Sequence, residues 1–116
     1  MYEIIYYHKD DQSPIVEFLS KLPRKDQAKI LREVDLLEQF GISLGMLHVK
    51  KMAGTDDLWE LRVKQGSDNY RIFYFTMKQQ RFVLLHAFQK KSQKTPNKEI
   101  KIAENRKSEF LERGDF

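Results

Sequence analysis

The sequence predicts an α+β protein with elements in the order β-α-α-β-β-β-α. A mainly antiparallel, twisted sheet is expected to pack against an N-terminal helical hairpin and a C-terminal helix. Three observations lead there. Residues 58–88 hold three successive strand-like runs separated by turn residues. Two stretches with helical spacing flank them, each opened by a hydroxyl residue and a proline, at Ser13-Pro14 and Thr95-Pro96. The N-terminal Tyr2–His8 (YEIIYYH) is β-branched and aromatic, as a strand requires.

In order along the chain, Ser13 is placed to cap a helix whose first residue, Pro14, sits where a missing N–H costs nothing. Ile15, Phe18, Leu19 and Leu22 follow at i, i+3, i+4 and i+7, one apolar stripe. Pro23 breaks that helix and opens the next, with Ile30, Val34, Leu37 and Phe40 expected on its buried face and Gly41 beyond its end. The two helices read as an antiparallel hairpin joined at Leu22-Pro23. Residues 41–57 are glycine-punctuated and expected to be irregular. Trp59, Leu61 and Val63 then alternate with Glu60, Arg62 and Lys64, the pattern of a half-buried strand. After a Gln65–Asp68 loop, Tyr70–Thr76 is apolar on both faces apart from Arg71, which predicts a central strand. Phe82–Phe88 reads the same way apart from His86. Thr95 and Pro96 open the last helix, with Ile100, Ala103, Phe110 and Leu111 expected inward and Gly114 closing it. No repeat, linker or low-complexity segment interrupts the pattern, so residues 1–116 read as one domain.

The 116 residues suffice for an ordinary core, and 41% hydrophobic with 33% charged residues describe a soluble globule. Without cysteine, disulfides and thiolate zinc sites are excluded, which suits a reducing cytosol. No apolar run approaches a secretory or membrane-spanning length, so a cytoplasmic protein with no membrane association is expected.

Charge is distributed unevenly. Between Asn69 and Lys98 there is no Asp or Glu, yet seven basic residues. Residues 1–68 hold 10 basic and 12 acidic side chains, and residues 99–116 hold 4 and 5. The net charge of +4 therefore comes from one cationic region on an apolar sheet, the footprint of a polyanion-binding protein.

Within that region Arg71 is the leading candidate, a charge in an apolar strand on the face of Phe73 and Phe75. Such a residue either serves function or pairs with a buried carboxylate, here Glu60 on the neighbouring strand. Arg62 lies on the polar face of its strand. Lys90, Lys91 and Lys94 follow the last strand and precede a helix start, where cations and free N–H groups can converge on phosphate. Adjacent residues of an extended segment point opposite ways, so the pattern does not decide between Lys90 and Lys91. His86 could act in proton transfer, or be a hydrogen-bonded core residue. Phe88 and Tyr70 could stack a base or simply pack. His48 and Lys51 lie in the segment before the sheet. No metal-spaced His/Asp set, P-loop or GxGxxG is present, so neither metal nor cofactor is expected.

Three stretches taken together resemble the RelE/ParE superfamily of type II toxins, in particular its phage-derived HigB-like branch. They are Leu58-Trp59-Glu60-Leu61-Arg62, Tyr70-Arg71-Ile72-Phe73-Tyr74, and Leu85-His86-Ala87-Phe88-Gln89-Lys90-Lys91 followed by Lys94-Thr95-Pro96. The resemblance spans nearly the whole chain and implies a RelE-like fold. It also implies ribosome-dependent, metal-independent cleavage of mRNA. The catalytic set would be Arg71, Lys90, Lys91 and Arg62, with Lys94, His86 and Lys51 binding substrate. A helix-turn-helix, HigA-like antitoxin is the implied partner, in a heterotetramer that reaches operator DNA only through the antitoxin. At one point the chain departs from the pattern: no Tyr follows Tyr74, whereas several RelE-type toxins use one near the C-terminal helix. Two other readings are a ParE-like, non-enzymatic gyrase inhibitor and an inactive toxin kept as part of a repressor complex.

Overall fold

The computed structural model describes residues 1–114. The elements are β1 (Glu3–Tyr6), α1 (Pro14–Ser20), α2 (Arg24–Phe40), a 3-10 turn (Gly41–Leu44), β2 (Val49–Lys51), β3 (Trp59–Gln65), β4 (Asp68–Met77), β5 (Arg81–Lys90) and α3 (Asn97–Arg113). This is the α+β architecture expected from the sequence, with one additional short strand. The five strands form one sheet in the order β1-β5-β4-β3-β2. All neighbours are antiparallel except β1 and β5. The doubly apolar runs are the inner strands β4 and β5, because both their faces are covered.

Each face carries its own core. On one, α1 packs over β5 and α2 over β3. Ile15, Leu19, Ile30, Val34 and Leu37 meet Leu61, Ile72, Tyr74 and Leu84 there. On the other, α3 lays Ala103 and Phe110 against Phe73, Phe75, Val83, Leu85 and Phe88. That helix is further held by polar links: Tyr7 Oη donates to Glu109 at 2.8 Å, and Arg106 Nη1 donates to the Leu85 carbonyl at 2.9 Å. Tyr70, at the other core, donates its hydroxyl to the buried carboxylate of Asp26 on α2.

The punctuation acts largely as read. Ser13 is extended at φ −113° with Pro14 beginning α1, although the Ser13 hydroxyl makes no cap hydrogen bond. Gly41 ends α2 at φ +55° with the Tyr2 ring against it, so a Cβ there would collide with the ring as well as strain the backbone.

Several boundaries and side chains differ from expectation. β2 falls in the segment expected to be irregular; three residues, two of them Lys, give no alternation to detect, and charged residues suit an edge strand. Helix α3 starts at Asn97, with Pro96 rather than Thr95 as its cap residue. β5 continues through Gln89 and Lys90 instead of ending at Phe88. Phe40 and Leu111, expected inward, are 49% and 43% exposed. Among the described residues no helix is long and apolar enough to cross a membrane.

One irregularity sets the geometry of the site. The β4–β5 register passes from Phe73↔His86 to Tyr74↔Leu84, a bulge at Leu85. Before it, Val83 and Leu85 face α3; after it, His86 and Phe88 do so. The extra residue reverses which alternate positions of β5 face each side of the sheet.

Candidate nucleic-acid-binding site

Beyond the area that α3 covers, its face of the sheet carries a row of charge. Arg62 and Arg71 are direct register partners on β3 and β4, and Phe88 lies opposite Arg71 on β5. In the next row Lys64 pairs with Asn69, and Asn69 with Lys90. Directly opposed residues share a face, so Arg62, Arg71, Lys64 and Lys90 point to the same side. The bulge makes this so: without it, Lys91 rather than Lys90 would continue on the side of Arg71.

Glu60 lies between the two arginines and is only 3% exposed. Its Oε1 accepts from Arg62 Nε at 3.0 Å, and its Oε2 lies 3.5 Å from Arg71 Nε. The pairing of Arg71 with a buried Glu60, one of the alternatives the sequence left open, is therefore present. It is incomplete, however: among the described residues the buried Arg71 Nε has no hydrogen-bond partner, while Nη1 donates to the Tyr70 carbonyl at 3.0 Å. Burial lowers the proton affinity of the Arg71 guanidinium, with Arg62 adding to the effect and Glu60 opposing it. A guanidinium stays charged regardless, so the site holds a partly desolvated cation with donor capacity in reserve.

A cleft of about 670 Å³ opens beside Arg71, between the β3–β4 turn and the segment after β5. Arg71, Lys90 and Lys91 line it, with Asn69, Gln89 and Ser92. Asp68 is the carboxylate in the lining, and it accepts from Gln89 Nε2 at 3.0 Å. Lys94 is exposed just beyond, its carbonyl accepting from the Ser92 hydroxyl at 2.8 Å. The walls are polar and cationic, suited to a phosphate-bearing chain rather than an apolar ligand.

His86 occupies a different environment. Its Nδ1 lies 3.1 Å from Arg106 Nη1, which can only donate, so Nδ1 accepts. Nε2 then carries the proton and donates to Glu99 Oε1 at 2.8 Å. Burial chiefly holds the imidazole below its ordinary pKa; Glu99 opposes that shift and Arg106 adds to it. Both ring nitrogens are thus engaged with α3, and the ring stacks on Phe88 at 5.5 Å. Phe88 also meets Phe73 at 5.3 Å, and Tyr70 is buried against the helical hairpin.

The residues before the sheet divide by register. Lys51 pairs with Trp59, so it points toward the helical-hairpin side, away from Arg71. Lys50, not singled out from the sequence, pairs with Glu60 and shares the face of Arg62 and Arg71. Pairing parity alone distinguishes them, and no signal in the sequence reveals it. His48 is tied to Glu33 on α2 at 3.0 Å, and its carbonyl accepts from the Arg62 backbone at 2.7 Å. Among the described residues, no group of three or more His, Cys, Asp or Glu is placed to hold a metal ion.

Residues 17–108 match the family described as "Phage derived protein Gp49-like (DUF891)". The chain belongs to this Gp49-like family. It is a family of RelE/ParE-type, toxin-like proteins, and the mixed five-stranded sheet with three helices is compatible with a RelE-like fold. The match runs from the middle of α1 into α3, so its span includes every residue of the cationic face and the cleft. No curated protein sequence matches the chain.

Proposed function

We propose that this Gp49-like protein is the toxin of a type II toxin–antitoxin pair, of the HigB-like branch, and cleaves mRNA on the ribosome. The observation that carries the reading is the convergence of Arg71, Lys90 and Lys91 on one polar cleft. Cleavage requires a 2′-oxygen to attack the adjacent phosphorus while its proton passes to an acceptor. The bond to the 5′-oxygen then breaks, and that oxygen takes up a proton. Charge accumulates on the non-bridging oxygens, and guanidinium and ammonium groups fixed beforehand stabilise it. Arg71 and Lys90, on one face, are suited to that role, while Arg62, Lys91 and Lys94 hold flanking phosphates. Because the ribosome positions the RNA, the protein's own contribution is mainly electrostatic. A helix-turn-helix antitoxin is the proposed partner, joining the toxin in a heterotetramer and carrying any contact with operator DNA.

The test is induction in cells followed by primer extension on an abundant transcript, for wild type and Arg71→Ala. Cleavage within translated codons that disappears in the variant is the expected result. Growth arrest with intact mRNA and damaged or relaxed chromosomal DNA would replace this reading with gyrase inhibition, and absence of arrest would leave a repressor subunit.

A further inference from the structure

Glu60 is out of place on a phosphate-binding face. It is a nearly fully buried carboxylate on the side of the sheet that carries Arg62, Arg71, Lys64 and Lys90. A neutral side chain there would leave a more positive surface. Without a counter-ion, though, the two guanidiniums would oppose each other directly across the β3–β4 ladder, an arrangement that repels. The carboxylate is shared unequally. Arg62 Nε makes a hydrogen bond of 3.0 Å with Oε1. Arg71 Nε stands 3.5 Å from Oε2, outside hydrogen-bond geometry, and is otherwise buried and unpartnered. An unmade bond on a buried charged donor is costly and is retained only where something compensates. Arg71 is also the arginine that lines the cleft; Arg62 does not. Arg62 is further secured, through its backbone N–H to the His48 carbonyl at 2.7 Å and weakly through Nη1 to the Met46 carbonyl at 3.5 Å.

We infer that Glu60 is the resting counter-ion of this pair and a positioning residue for phosphate capture: it keeps Arg62 and yields Arg71 to an incoming phosphodiester. The carboxylate does not itself line the cleft but serves, at lower strength, as counter-ion to the guanidinium that does, so Arg71 is held in orientation while the cleft is empty. When phosphate enters, the Arg71 guanidinium turns toward the cleft, which frees the Nε that is buried in the resting arrangement, and the anion replaces the long contact to Glu60. Fork-like pairing with a phosphate is the stronger interaction of the two. Glu60 thereby weakens anion binding in general, since it competes, and raises the rate at which bound RNA is cleaved, since it aligns the cation. This rests on the phosphodiester reading of the cleft, and the two can fail separately.

The first experiment is a titration of the whole protein with inorganic phosphate, following the Nε–H resonances of Arg62 and Arg71 by nitrogen-15 NMR. The Arg71 signal is expected to move saturably while that of Arg62 stays nearly fixed. Equal movement of both signals, or movement of cleft lysine signals without that of Arg71, would overturn the inference, as would the absence of any saturable response. The second experiment compares Glu60→Gln, which keeps the shape and removes the charge. It is expected to bind phosphate about threefold more tightly, the scale of one partly exposed ion pair. It should cleave ribosome-bound mRNA about tenfold more slowly at saturation, the scale of a misplaced catalytic group. Weaker phosphate binding by a folded Glu60→Gln, or unchanged binding with unchanged cleavage, would reduce Glu60 to a structural ion-pair partner. Should the phosphate responses follow expectation while wild type cleaves no RNA, the exchange at Glu60 stands and the ribonuclease reading falls.

Discussion

Arg62 and Arg71 face one another across adjacent antiparallel strands, two like charges in direct register, with the carboxylate of Glu60 between them. Like charges so placed destabilise a sheet, and the arrangement persists because Glu60 is buried against both. Replacing Arg71 is therefore expected to have a small effect on folding and, if the proposed function holds, a large one on chemistry. Arg71→Ala is expected to lower the cleavage rate by about 10²–10³, the scale of a lost transition-state donor. Arg71→Lys should restore only part of it, because an ammonium cannot supply the planar fork. Single-turnover cleavage and thermal unfolding of both variants check this; loss of rate only in proportion to loss of folded protein would contradict it.

The bulge at Leu85 places Lys90, paired with Asn69, on the side of Arg71. Lys90→Ala is expected to impair cleavage more than Lys91→Ala, although the two residues are adjacent and chemically identical. Each lysine that contacts a phosphate should lower the slope of log binding constant against log salt by about 1. RNA-binding isotherms at several salt concentrations would measure it, and equal effects at both positions would argue against a face-specific site.

Strand parity likewise separates Lys50 from Lys51. Lys50 lies opposite Glu60 on the cationic face, while Lys51 lies opposite Trp59 on the other. Lys50→Glu is expected to weaken RNA binding, and Lys51→Glu to leave it within about twofold of wild type, since an exposed charge on the far side is largely screened. Binding measurements at moderate salt decide the matter.

Tyr70 and Asp26 link α2 to β4 at a buried position. The hydroxyl's proton affinity is raised strongly, first by burial and then by its bond to Asp26. Tyr70→Phe removes the donor and leaves a carboxylate buried without that partner, which should destabilise the protein by about 1–3 kcal/mol. Denaturant unfolding of Tyr70→Phe, of Asp26→Asn and of the double variant would show strong non-additivity if the pair acts as a unit.

His86 makes stability depend on pH. Its folded pKa lies below the ordinary value, chiefly through burial, with Glu99 and Arg106 of α3 around it. The unfolded chain then binds the proton more readily, so stability is complete above about pH 6.5 and falls as the pH drops below it. The melting temperature should decline on acidification, and His86→Gln should flatten that decline. A profile unchanged by the substitution would show that other groups carry it.

Much of this protein was legible in its residues. Alternation at Trp59, Leu61 and Val63, the doubly apolar runs around Ile72 and Leu84, and the Ser13-Pro14 and Thr95-Pro96 pairs determined element types and order. Periodicity and punctuation are local properties, and the chain carries them unfolded. The acid-free stretch from Asn69 to Lys98 likewise announced a cationic region, because charge composition needs no coordinates. Tertiary structure alone decided which cations share a face. A single extra residue at Leu85 turned Lys90 toward Arg71, pairing register turned Lys50 toward and Lys51 away, and packing buried Glu60 between two arginines 2 and 11 positions further along the chain. Facing in a sheet has a period of two, so one inserted residue or one step of register reverses it. Nothing in a linear pattern records which neighbour a strand will meet.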